Sequence, residues 1–260
     1  MLIKARYARL AGAQAPKQEK ASYAASRIRA LYGPSLRLWI DGAHDSFAVG
    51  STAVRAFDRS GKGVSVQQLT AANRPLRSVV GGVGGWTFDG TDDRFDVGAV
   101  DLSSSNKVTV VTINRLTTAA NTGILYEVGE NGAVNGGIQV FRNNAGGFEA
   151  NSHQAALFND RKIAGSTNTW YCHAVVIDRA QAAASENSLY QNGLFVASTA
   201  VASSDLSLSF ENRAGAIGGW TFSAATLAGQ IAQVIVLTGA LSSAQVYDVS
   251  QLAMSLSGVA

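Results

Sequence analysis

The sequence predicts an all-β protein built as a two-sheet antiparallel sandwich, and three observations carry that reading. From residue 34 onward, apolar and polar residues alternate in more than a dozen short runs, the period of a half-buried strand. Turn signals separate the runs: the 260 residues hold 27 glycines and only 3 prolines. A clear 3.6-residue period occurs only in the last segment.

Taken in order, residues 1–33 carry helix formers and few strand signals. ASYAASRIRALYG predicts a short helix with Tyr23, Ile28 and Leu31 on its apolar side, ended by Gly33-Pro34. The strands then begin with LRLWID (36–41), AVRAFD (53–58, closed by RSGKG) and VSVQQL (64–69). RSVV (77–80), WTFDG and RFDVG continue the period around the glycine-rich GGVGG. KVTVVTINRL (107–116) is a run of β-branched residues, and GILYEVG (123–129) and GGIQVFRN (136–143) flank an Asn131-Gly132 turn. FEAN, AALFND and TWYCHAVVIDR (169–179) follow, the last being the strongest strand signal in the chain. SLYQNGLFVAS (188–198) reads as a hairpin about Asn192-Gly193, and RAGAIGGWTF (213–222) and GQIAQVIVLTG (229–239) as the closing strands. LSSAQVYDVSQLAMSL places Val246, Val249, Leu252, Ala253 and Leu256 at helical spacing behind Ser242 as N-cap. No linker divides residues 34–260, so the expected organisation is an arm (1–33) and one sandwich domain (34–260).

Composition supports a packed body: 47% hydrophobic and 15% charged residues suit a folded domain of this size. The single cysteine, Cys172, rules out an intrachain disulfide and reads as a buried thiol. The net charge of +3 is unevenly spread. Residues 1–30 hold seven basic side chains (Lys4, Arg6, Arg9, Lys17, Lys20, Arg27 and Arg29) against one acid, whereas the remainder holds 14 basic and 17 acidic residues. A basic arm on a mildly acidic body suggests docking to a negative partner. The start, MLIKARYARLAGAQAPKQEK, lacks the apolar stretch of a signal peptide, and no run approaches the ~18–20 apolar residues of a membrane span. Synthesis in the cytoplasm with no membrane partner is the expectation.

Several chemistries find no pattern. His44, His153 and His173 stand far apart with no zinc spacing, GGVGG lacks the Lys-Ser/Thr of a phosphate loop, and no G-x-S-x-G elbow occurs. GGWTF appears twice, at 84–88 and 218–222, without the longer similarity that a repeat requires. Its paired glycines read as points of close backbone approach, and Trp86 and Trp220 as core or sheet-edge aromatics, with sugar stacking as the alternative.

Four stretches in order give a resemblance. LRLWIDGAHDS, AFDRSGKGVSVQQLTAANRPLR, FDGTDDRFDV, and LYQNGLFVAS followed by GQIAQVIVLTGALSSAQV resemble the laminin-G-like jelly rolls of the concanavalin A-like lectin/glucanase superfamily, as found in phage and bacterial surface proteins. The likeness covers roughly residues 35–256. It implies a jelly-roll sandwich whose F-D-G-x-D-D segment is mainly a turn, with Asp89, Asp92 and Asp93 as a calcium site in the alternative. The superfamily's glucanases resemble one another in an E-x-D-x-x-E strand; no Glu here is followed two residues on by Asp, which argues against that activity.

The resulting expectation is a non-enzymatic phage virion component, a decoration, spike or fibre head. It would be anchored to other virion proteins by residues 1–33, and it would be homo-oligomeric and without cofactor unless calcium is bound. The alternative is a carbohydrate-binding module or adhesin for surface glycans, with Trp39, Trp86, Trp170 and Trp220 as stacking platforms. A divergent glycoside hydrolase ranks third and would need two carboxylates brought together in a pocket.

Overall fold

The computed structural model describes residues 17–44, 46–49, 51–118, 122–129, 136–220 and 226–259. Helix α1 (Lys17–Tyr32) leads into β1 (Leu36–Asp41), β2 (Ser46–Val49), β3 (Thr52–Ala56), β4 (Val66–Gln67), β5 (Leu76–Val80), β6 (Val83–Asp89), β7 (Phe95–Asp101), β8 (Lys107–Leu116) and β9 (Gly123–Val128). Then come β10 (Ile138–Arg142), β11 (Phe148–Gln154), β12 (Leu157–Ile163), β13 (Tyr171–Asp178), the one-turn helix α2 (Ala183–Glu186), β14 (Asn187–Gln191) and β15 (Leu194–Phe195). The chain closes with β16 (Thr199–Ala202), β17 (Asn212–Ile217), β18 (Ala228–Thr238) and helix α3 (Ser243–Ser257).

The pairings are antiparallel and sort the strands into two layers of a jelly-roll sandwich. The first layer runs β5-β6-β18-β8-β13-β14-β15, with β1 taking over from β6 beside the second half of β18. The second runs β2-β3-β4-β7-β17-β9-β10-β11-β12-β16. A single bridge, Thr52 to Leu76, ties one to the other. Alternation along each strand supplies the filling. Leu38, Ile40, Trp86, Phe88, Val110, Val175 and Val234 from the first layer meet Phe95, Val97, Val128, Ile138, Val140 and Phe148 from the second.

The first layer is buried on both faces. Its outward residues, among them Trp39, Val111, Ile113, Cys172, Ala174 and Ile235, pack beneath α1 and α3 in a second core. This is why TWYCHAVVID and QIAQVIVL read as continuous apolar runs. Helix α3 is capped as its sequence implies: Ser242 and Gln245 form a capping box, and Gly258 ends it at φ 78°. The expected helix at residues 17–32 is present, but its role differs from that of a free arm. Ala24, Ala25, Ile28 and Tyr32 are buried in the second core, and the Arg29 guanidinium lies 5.7 Å from the centre of the Trp39 ring. A division at residue 33 therefore does not separate a tether from a body, because removing this helix would expose part of the core.

The local turn readings hold where residues are described. Asn192 and Gly193 both take positive φ (53° and 83°) in the β14–β15 hairpin. Asn131-Gly132 lies outside the described residues. The paired glycines of GGWTF mark close approaches, as expected: a Cβ on Gly85 would sit 2.5 Å from the Ile231 carbonyl oxygen, and one on Gly218 would enter the Phe88 ring. No described helix is long and apolar enough to cross a membrane.

Candidate functional site

The second layer has no helix packed on it, and its outward face carries the densest set of polar side chains in the protein. Register decides which residues share that face. Strand β9 sets Glu127 opposite Gln139 of β10, β10 sets Gln139 opposite Asn151 of β11, and β11 sets Asn151 opposite Asp160 of β12. Their strand neighbours Tyr126, Val128, Ile138, Val140 and Ala150 lie in the inter-sheet core, so this row points the other way. Four adjacent strands make the row about 14 Å long. A second row, Phe141, Glu149 and Lys162, lies beside it, and His153 opposite Phe158 extends it at one end.

These polar groups are not splayed into solvent. Glu127 is fully buried, and Gln139, Asn151 and Asp160 are only 6–7% exposed. Polar side chains that face away from the core yet are covered to this degree form the floor of a groove. They are also organised. Asn151 Nδ2 donates to Gln139 Oε1 (3.1 Å), and the His153 Nε2–Asn151 Oδ1 distance is 2.9 Å. Asn143 donates to Glu149 Oε2 at 3.0 Å. Phe158, 41% exposed, stacks on the His153 ring at 5.6 Å.

At the centre, Glu149 and Asp160 sit diagonally across β11 and β12, within hydrogen-bonding reach of each other. Burial, then the charge of Glu149 and the hydrogen bond shared with it, push the Asp160 carboxyl up to about 8, against the opposing pull of Lys162. At neutral pH the pair therefore holds one proton between two carboxyl groups. It offers both donor and acceptor oxygens, which suits hydrogen bonding to a polyol. It does not suit glycosidic cleavage, in which the two carboxyls stand ~5 Å or more apart across the bond.

The reverse faces of the same strands do structural work. Ser152 Oγ donates to buried Glu186 (2.6 Å), and Asn159 and Arg161 donate to the Ala183 carbonyl (2.7 and 3.0 Å), closing that end of the sandwich. Arg142 turns inward onto Asn114 and the Gly146 and Ser166 carbonyls, beside buried His173. Burial and the Arg142 charge hold His173 well below its ordinary value, so it stays neutral, and Cys172 is an inert buried thiol pushed up to about 12.

The residues singled out in the sequence are not brought together. Trp39 and Trp86 are fully buried, the first under α1 and the second edge-on to Phe95 between the sheets (5.4 Å), so neither can present a face to a sugar. Trp170 is half-buried and donates from Nε1 to the Val80 carbonyl (3.1 Å). Trp220 is half-buried, with its carbonyl accepting from Arg94 (3.0 Å). Asp89, Asp92 and Asp93 do cluster, with carboxylate oxygens within 4.8 Å of one another. Their hydrogen bonds are those of a turn: Asp89 Oδ1 accepts from the Thr91 and Asp92 N–H groups (2.8 and 3.3 Å), and Asp93 Oδ2 from that of Asp89 (3.0 Å). Burial, followed by the Asp89 charge, raises Asp93 to about 6. Lys4, Arg6 and Arg9 lie outside the described residues, as do the side chains of Lys17 and Lys20; Arg27 and Arg29 belong to α1.

Sequence reading passed over the groove. The alternation in FEANSHQ and LFNDRKI contains the signal, since Glu149, Asn151 and His153, then Phe158, Asp160 and Lys162, fall on one parity. Only the β11–β12 register joins the two sets.

No protein-family model and no curated protein sequence matches the chain. Solved structures do match, and they define the class as a lectin-like β-sandwich. The botulinum neurotoxin serotype D ligand-binding domain, in complex with N-acetylneuraminic acid, is 13% identical with a TM-score of 0.61, covering 88% of this chain and 52% of that one. The type G receptor-binding domain is 12% identical with a TM-score of 0.60, covering 84% and 51%. Domain 4 of a GH43 extracellular arabinanase from Geobacillus stearothermophilus, in complex with arabinotriose, is 16% identical with a TM-score of 0.58, covering 84% of this chain and 98% of that one. The chain thus spans about half the length of the neurotoxin domains and matches the arabinanase domain almost end to end. These similarities establish the sandwich architecture.

Proposed function

We propose that the chain is a glycan-binding module and that the groove over β9–β12 is where the glycan sits. The observation that carries this reading is the ordered row Glu127–Gln139–Asn151–Asp160, polar and desolvated on a sheet face that no helix covers. Desolvated amides and carboxyls at the floor of a groove are the groups that fix hydroxyl-rich ligands. The arabinotriose and N-acetylneuraminic acid complexes of two structurally similar domains support sugar binding as the activity of such a sandwich. The laminin-G-like assignment, which rests on the four sequence motifs, is part of the same proposal. A glycan array probed with the intact chain tests it. Binding should appear and should fall by about tenfold or more in Asn151→Ala, which removes a floor hydrogen-bonding group; an array with no signal would refute the reading.

The acidic turn is assigned a structural role, with calcium as its alternative. A calcium titration followed by thermal unfolding separates them: an unchanged melting temperature supports the turn. Anchoring in a virion through residues 1–33 draws no support from the similar structures, whose descriptions concern ligand and receptor binding.

A further inference from the structure

The charge of the groove narrows the ligand class, an inference that rests on the glycan-binding reading above. Three outward carboxyl residues, Glu127, Glu149 and Asp160, share this face with one lysine, Lys162, which is exposed. The two arginines of β9–β12 turn away. Arg142 is buried on Asn114 and the Gly146 and Ser166 carbonyls, and Arg161 is held by the Ala183 carbonyl. An acidic sugar entering the groove would therefore meet carboxyl groups in desolvated surroundings with no buried cation beneath it, a costly arrangement. Hydroxyl and amino groups would instead find acceptors. The open end adds an apolar surface: Phe158 stacks on His153, and the His153 ring is tied to Asn151, so ledge and polar floor are held in fixed relation.

We propose that the groove selects non-acidic glycans, neutral or amino-bearing, and rejects those carrying carboxylate or sulfate. Glu149 and Asp160 accept hydroxyl or amino hydrogens, and Phe158 supports the apolar face of one ring.

Calorimetric titration of the intact chain tests this with arabinotriose and a chitosan trisaccharide as non-acidic probes and 3′-sialyllactose and a galacturonic acid trimer as acidic ones. The non-acidic probes should bind at least ~10-fold more tightly, a gap of about 1.4 kcal/mol. Phe158→Ala, at an exposed position, should weaken them by ~10-fold, while Leu194→Ser on the other layer should leave them unchanged. Glu149→Gln should narrow the gap between the two probe classes. Equal or tighter binding of the acidic probes would overturn the charge selectivity and leave glycan recognition standing. Absence of binding to every probe would overturn both. Non-acidic binding indifferent to Phe158→Ala and Glu149→Gln would show that the site lies elsewhere.

Discussion

Asp160→Asn tests the acid pair without any ligand. In the unfolded chain the carboxyl titrates near 3.8, whereas in the folded protein it titrates near 8, chiefly because it is desolvated beside Glu149. Between these values the folded state keeps a proton that the unfolded state releases. Stability is therefore greatest below the lower value and falls as pH rises, by up to about 1.4 kcal/mol per pH unit. From pH 5 to pH 7 the loss reaches about 3 kcal/mol, a large part of the 5–15 kcal/mol that typically holds a domain together. Asn keeps the size of Asp and an N–H donor toward Glu149 but cannot ionise. The variant should match wild type near pH 5 and exceed it by about 3 kcal/mol at pH 7. Urea unfolding of both proteins at the two pH values provides the measurement. All other titrating groups are common to the pair and drop out of the difference. A stability difference that does not change with pH would refute the shared proton and, with it, the proximity of Glu149 and Asp160.

Trp39→Ala should cost about 3–5 kcal/mol by opening a cavity beneath α1, while glycan binding to the folded fraction is unchanged; urea unfolding and calorimetry together check this. Deleting residues 1–32 should lower the melting temperature sharply and increase dye binding to exposed apolar surface, since Trp39 and its neighbours lose their cover. Gly85→Ala should be strongly destabilising in thermal unfolding, because the new methyl meets the Ile231 backbone, which cannot yield without breaking the β6–β18 pairing. Asp89→Ala should cost about 1–2 kcal/mol through two lost turn hydrogen bonds, with or without calcium present.

Much of the architecture was legible in one dimension because strand alternation and turn chemistry are local. A period of two, Asn-Gly at 192–193 and the Ser242 cap each act within a few residues, so they survive without knowledge of the partner strand. Cys172 was readable as a core thiol for the same reason. The paired glycines were legible as close approaches, although the identity of what approaches, the Ile231 carbonyl for Gly85 and the Phe88 ring for Gly218, was not.

The tertiary structure decided what local pattern cannot encode. Trp39 alternates like a surface residue of a two-layer sandwich, yet it is buried, because α1 and α3 form a third layer over that sheet face. The basic leader was separated from the body on charge alone, whereas the apolar side of residues 17–32, Ala24, Ala25, Ile28 and Tyr32, makes it part of the core. Glu149 and Asp160 stand eleven residues apart on different strands, and their meeting depends on the β11–β12 register, which a slip of one residue would abolish by turning every side chain of one strand to the opposite face.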